Sequence, residues 1–381
     1  MTTIDVRPSS TVPAPVERIE QLLARSVDGH VETWDAEDQL PDAVVDELAA
    51  AGAFGLTVGP EHGGAGIGAE GALEAWRRLA RRWIAMTGLV NTHALAGAIL
   101  QTHGTVEQQR RWLPGIASRQ LRASFSITEP QAGSDLAQLA LAATPHPDGG
   151  FLLSGEKRWI AGGMSATLPF ALVRTAEGLT CLAIPREPGW SATWEGGLID
   201  KPGYRGVESA WWRLRDHHAP TAEVIGEPGR GARVMLGALN LGRVNVAARG
   251  LGIAERAVEL ALEESRTRRI GDGPLLDQSH TRIRLGEMRT RLMAADALAR
   301  RAAQAIDADD PEARDLCAAA KVAAARAARE NAEDASRLAA SRSYVAGCEL
   351  DRLRRDAGQL AIGEGAEDVL LLTLGGRTGR E

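Results

Sequence analysis

The stretch Thr128-Glu129-Pro130-Gln131-Ala132-Gly133-Ser134-Asp135 decides how the rest of the chain is read. Taken bare, it is a turn at the end of a strand, in which Gly133 is free to take a positive φ. Its successive backbone N–H groups, together with the Thr128 and Ser134 hydroxyls, suit an anion or the edge of a ring. Read as residues alone, it serves equally as an ordinary strand-closing turn.

Working outward, the texture differs on the two sides. Before the turn, residues 14 to about 120 carry helical spacing. Val16, Ile19, Leu22, Leu23 and Val27 recur on one face after Pro15, and the pattern at 41–51 stops at Gly52. The glycine-rich 59–68 must be a loop, and helical patterns resume over 70–83, 89–102 and 106–117. Around the turn, short segments at 122–128, 151–154 and 168–174 are bounded by Gly, Pro or Asp. Gly155 and Gly178 stand where tight turns between strands are expected. From Gly231 the chain is helical again in long pieces, 234–266, 275–306 and 312–341, the last very rich in alanine. The expected fold is α+β and mostly α. It comprises a disordered arm (1–14), an N-terminal helical domain (15–120), a middle β domain (121–226) and a C-terminal four-helix bundle (227–381).

Composition narrows the function classes. A chain of 381 residues exceeds one ordinary core. Its 44% hydrophobic and 25% charged content is that of a globular protein. A net charge of −6 argues against a general nucleic-acid binder. No apolar run approaches the roughly 20 residues of a membrane helix, and the N-terminus has no apolar core of a targeting peptide. Cys181, Cys317 and Cys348 lie far apart with no metal-ligand spacing, which suits a reducing cytoplasm and no metal. The pairs His217-His218 and Trp211-Trp212 fall on an expected strand, so neighbours point to opposite faces.

The stretch 128–135 resembles the strand-end signature of the acyl-CoA dehydrogenase family, Thr/Ser-Glu-Pro-x-x-Gly-Ser-Asp. Six further blocks follow that family's order: the loop from Gly59 to Gly66, Gly155-Glu156-Lys157-Arg158-Trp159-Ile160, and Asp200 to Gly206. The others are Gly226 to Gly231, Leu241-Gly242-Arg243 and Arg355-Asp356-Ala357. The resemblance spans about residues 15–375. It implies a homodimer or homotetramer that binds FAD and oxidises the thioester of an acyl-CoA or an acyl carrier protein. In this family a glutamate nine residues after the Arg of Arg-Asp-Ala removes the substrate's α-proton, and here that residue is Glu364. A carboxylate serves there because burial raises its pKa toward that of a working base. By position, Thr128, Ser134, Trp159, Arg268 and Gly365 match residues on the cofactor, and Ser134 and Arg243 match residues near the substrate. Trp159 reads alternatively as a β-domain core residue, Arg268 as an exposed helix-end charge, and Arg243 as a bridge between helices.

Departures from the family pattern gather on the cofactor side. Ala161 and Gly162 stand for Thr and Asn, Ala366 for a threonine, Ser279 for a glutamine and Gly271 for a phenylalanine. Ala340-Ser341-Arg342-Ser343-Tyr344 replaces a Gly-Gly-x-Gly-Tyr turn. Each lost hydrogen bond costs ~0.5–1.5 kcal/mol, with Arg342 as a compensating phosphate contact. Three readings follow: an FAD-dependent dehydrogenase, a monooxygenase-like or flavin-independent relative on the same fold, or one subunit of a mixed complex.

Overall fold

The computed structural model describes residues 13–378. The expected arm at 1–14 lies outside the described residues except at its end, where Ala14 already belongs to the first helix. Helices α1 (Ala14–Ser26), α2 (Val31–Glu37), α3 (Asp42–Ala50), α4 (Gly68–Arg82), α5 (Ile84–His103) and α6 (Val106–Ala117) build the N-terminal layer. Their starts and stops follow local chemistry. Pro15 opens the first turn of α1, Gly52 takes φ 85° just beyond α3, and Thr105 with Gln108 forms a complete capping box on α6. α5 differs from the others in being buried nearly all round, despite carrying Asn91 and His93.

Eight strands then form one sheet: β1 (Ala123–Ser126), β2 (Ala142–Pro145), β3 (Phe151–Ala161), β4 (Leu168–Thr175), β5 (Gly178–Ala183), β6 (Trp194–Leu198), β7 (Ser209–Ala219) and β8 (Glu223–Ile225). The order is β6-β7-β3-β2-β4-β5-β8, with β1 running parallel to β4. Gly178 starts β5 with φ 117°, as a turn glycine should, but Gly155 does not turn the chain. It lies inside the long β3 at φ 143°, where the register with β7 slips, so it marks an irregularity and not a hairpin. On β7, Trp212 is fully buried and Trp211 half-buried, while His217 and His218 are both half-buried.

The C-terminal third contains α7 (Gly231–Thr267), α8 (Ser279–Asp307), α9 (Ala313–Ala339), α10 (Glu349–Gln359) and α11 (Glu367–Thr378). A two-residue ribbon, β9 (Arg269–Ile270) with β10 (Gly273–Pro274), links α7 to α8. The helix expected from 275 begins four residues later, because Leu275–Asp277 forms a tighter 3-10 turn first. α7 runs through the core between α4, α5, α8 and α9. Alanine lines the facing side of α9, and a Cβ on Gly250 of α7 would lie 2.5 Å from the Ala324 carbonyl oxygen. Small residues on both helices therefore set how closely they approach. Among the described residues no helix is long and apolar enough to cross a membrane, and no group of three or more His, Cys, Asp or Glu is placed to hold a metal. The α+β, mostly helical class read from sequence is the observed one.

Candidate active site

Glu364 sits in the short turn between α10 and α11 with φ 55°, followed by Gly365 at φ 102°. A left-handed glutamate is uncommon, and this turn aims its side chain back into the protein. The residue is half-buried as a whole, yet its carboxylate is pressed against α7, where a Cβ on Gly242 would come within 3.0 Å of Cδ. Only glycine at 242 leaves that space. From the other side, Asn91 on α5 donates Nδ2–H to Glu364 Oε1 at 2.8 Å. Burial is the largest influence on this carboxyl and pushes its pKa up. Arg249, the Asn91 hydrogen bond, Arg243 and Lys321 pull it down without cancelling the rise.

The turn is fastened from behind. Lys321 of α9, fully buried, donates Nζ–H to the carbonyls of Gly365 (2.8 Å) and Ala361 (3.3 Å), and burial lowers its own pKa to about 8. Arg243 reaches Asn240 Oδ1 at 3.2 Å and approaches the Glu364 carbonyl at 3.5 Å. It thus bridges α7 to the turn. The block around Tyr204 docks on the block around Asp356: the Tyr204 N–H donates to Asp356 Oδ1 at 2.7 Å. Burial raises the Asp356 carboxyl to about 6.

The signature turn follows directly on β1. Glu129, a residue not singled out from sequence, is what holds it. Its carboxylate is buried and pairs with buried Lys157 of β3 at 2.7 Å. It also accepts N–H bonds from Ala140 (2.7 Å) and Leu141 (3.0 Å). Lys157 gives a second bond to the Ile127 carbonyl at 2.8 Å, and the Arg158 N–H donates to Thr128 O at 2.8 Å. Two of the blocks noted in the sequence are thereby locked to each other. Burial lowers the Lys157 pKa to about 8, with Glu129 opposing that fall.

Locked in this way, the turn presents unspent groups. Among the described residues the Thr128 and Ser134 hydroxyls make no hydrogen bond, and the N–H groups of Gln131, Gly133 and Ser134 donate to none. Trp159, at φ 60° on β3, is 59% exposed, which sets aside its reading as a core residue. A flat indole face beside free N–H and O–H donors is a donor set that fits a flavin ring and its polar edge. At Gly162, which stands where the family pattern has an asparagine, there is room for a side chain, since a Cβ would meet Leu89 Cδ2 only at 3.9 Å.

The remaining cofactor candidates also make contacts within the chain, Arg268 with only part of its donors. Arg268 is half-buried and donates to the Leu338 carbonyl at 2.9 Å, so it is not a free helix-end charge. Arg342, read as a compensating phosphate contact, pairs with Glu264 at 2.8 Å while its side chain stays exposed. Ser343 spends its hydroxyl on the Ser336 and Ala340 carbonyls. Residues Ala340–Tyr344 form a 3-10 turn in which Ala340 adopts φ 53° and ψ −130°, a conformation suited to glycine. Tyr344 projects outward, 89% exposed.

Sequence and structure comparisons agree on kinship. Three family models match in succession: the acyl-CoA dehydrogenase N-terminal domain at residues 14–120, the middle domain at 124–217 and the C-terminal domain at 229–378. Similar relatives include isobutyryl-CoA dehydrogenase of Dictyostelium discoideum, 30% identical over 90% of this chain and 83% of that protein. Short-chain specific acyl-CoA dehydrogenase of Homo sapiens is 30% identical over 90% and 84%. Among solved structures, butyryl-CoA dehydrogenase from Megasphaera elsdenii superposes with a TM-score of 0.90 at 25% identity, covering 99% of this chain and 100% of that one. The chain belongs to the acyl-CoA dehydrogenase family, whose members bind FAD and are oxidoreductases acting on the CH–CH group of acyl-CoA donors.

Proposed function

We propose that this chain oxidises an acyl-CoA thioester across its α and β carbons, with Glu364 as the base that takes the α-proton. The observation that carries this reading is the inward carboxylate of Glu364, desolvated, raised in pKa and fixed by Asn91. A proton beside a thioester carbonyl is weakly acidic, so the acceptor must be ionised yet basic near neutral pH. Burial provides the basicity, while Arg249, Arg243 and Lys321 keep enough of the carboxylate ionised to accept the proton. When bound, FAD supplies the acceptor for the hydride that leaves the β-carbon. Trp159 would lie along the flavin, the Thr128 and Ser134 hydroxyls and the N–H groups of Gln131, Gly133 and Ser134 would bind its polar edge, and Arg268 and Gly365 would approach the rest of the cofactor. Ser134 and Arg243 would flank the thioester.

Coenzyme A is the acyl carrier in this reading, because relatives 28–30% identical over nearly the whole chain are named for CoA thioesters. Likeness to a prolyl acyl carrier protein oxidase, at 22% identity, supports the fold alone. The working form is a homodimer or homotetramer. Exposed Tyr344, Val345 and Ile362 favour it, since exposed apolar side chains gathered in one sequence region suit a subunit contact. Three unpaired cysteines fit a reducing, cytoplasmic setting.

The test is a turnover assay of the FAD-saturated protein with acyl-CoA and acyl-carrier substrates and an artificial electron acceptor. Bleaching of the flavin band by an acyl-CoA is expected. A protein that takes up no FAD, or whose flavin no acyl thioester reduces, sinks the reading.

A further inference from the structure

Arg249 is a buried cation whose charge acts on Glu364 from beyond ion-pair distance. It lies on α7, 2% exposed, and donates Nε–H to Asn245 Oδ1 at 2.8 Å and Nη1–H to the Tyr204 hydroxyl at 3.1 Å. Both acceptors are neutral, and among the described residues it forms no ion pair within 4.0 Å. A guanidinium carries five N–H donors, so most of its hydrogen-bonding capacity is unspent. Buried cations of this kind are ordinarily matched by an anion.

Its place relative to the base is fixed by helix geometry. Gly242, Asn245 and Arg249 are spaced i, i+3, i+7 on α7 and share one face. Glu364 rests on Gly242, and the bond to Asn245 draws Arg249 back along that face toward it. Across from them on α5, the Tyr204 hydroxyl lies over Gly88, where a Cβ would come within 2.1 Å, one turn from Asn91. Two further polar atoms in this cluster, Asn91 Oδ1 and Asn245 Nδ2, are buried with no hydrogen-bond partner. The wall beside the base is thus polar and cationic where an alkyl-binding wall would be hydrocarbon.

We propose that Arg249, held by Asn245 and Tyr204, determines acyl specificity by receiving a carboxylate at the far end of a short acyl chain. This inference rests on the proposed dehydrogenase reading and names its substrate class: an ω-carboxyacyl thioester. A carboxylate satisfies the guanidinium's spare donors in the paired geometry that arginine favours. A plain alkyl group leaves the same donors buried and unpaired, and sites built for a polar group reject analogues that lack it strongly.

The experiment compares ω-carboxyacyl-CoA substrates, with two to four methylenes between carbonyl and carboxylate, against isosteres ending in isopropyl. The FAD-loaded wild-type protein should favour one carboxy substrate over its isostere by at least ~100-fold in kcat/KM. Arg249→Gln should collapse that ratio to within ~5-fold, and Tyr204→Phe should lower it partway. The ratio is internal to each protein, so a general loss of activity or stability does not disturb it, and the wild-type ratio needs no variant. Equal wild-type turnover of a carboxy substrate and its isostere, or a ratio unchanged in Arg249→Gln, overturns the inference. Failure of every thioester to reduce the flavin strikes at the dehydrogenase reading instead.

Discussion

The side of the site proposed to carry the base and the side proposed to carry the cofactor are built on opposite plans. Around Glu364 every element is turned inward: α5 brings Asn91, α7 brings Gly242 and Arg243, and α9 brings Lys321, all within one chain. Around Thr128 and Trp159 the interior work is done by Glu129 and Lys157, which leaves the ligand-facing groups outside and unspent. The surroundings of Glu364, the proposed base, are thus closed by the chain itself, whereas the groups proposed to meet the cofactor face outward. Preorganisation is concentrated where charge must be desolvated.

The contrast breaks first at the base. Glu364→Gln removes the proposed proton acceptor but keeps the hydrogen bond from Asn91, so kcat should fall by at least ~10³-fold while flavin absorbance and affinity hold. Stopped-flow reduction of the bound flavin checks this. Next in size is Lys157→Met, which strands the Glu129 carboxylate. It should cost about 3–5 kcal/mol in chemical denaturation and loosen the signature turn, showing as weakened FAD binding by titration. Gly242→Ala places a methyl where the Glu364 carboxylate lies and should lower kcat about 10-fold, with FAD affinity unaffected. Trp159→Ala should do the reverse, weakening FAD about 10-fold and shifting unfolding stability by less than about 0.5 kcal/mol, because the ring is exposed in the protein alone. The smallest effect is in pH. Because burial raises the Glu364 pKa, the base is protonated at a higher pH than a solvated glutamate, so kcat/KM should rise with pH through a value above 4.5 and level off beyond it. An acid limb at or below 4.5 would remove burial as the source of basicity.

Sequence spacing carried the architecture and the candidate base. The change from 3.6-residue to short-strand texture near 121 is a direct imprint of burial pattern, and the nine residues from Arg355 to Glu364 span α10's end and one turn. Pairings between distant segments were not legible. Nothing in the order of residues says that Glu129 meets Lys157, although an acid and a lysine in two separate strand-rich blocks had the composition for it. Asn91 and Arg249 did leave a trace: each is a polar residue in a mostly apolar helical run, and a polar residue on the buried face of such a run needs a partner. The partner of Arg342 was equally hidden: Glu264, which pairs with it, stands 78 residues earlier.

The exposed indole at position 159 gives the protein its own optical reporter. Trp76, Trp83 and Trp212 are sealed in the core and should emit at short wavelength whatever is bound. Trp159, more exposed than Trp190, should contribute much of the red edge of the emission and lose that share when a planar chromophore covers its face, so cofactor loading can be followed by fluorescence with no label attached.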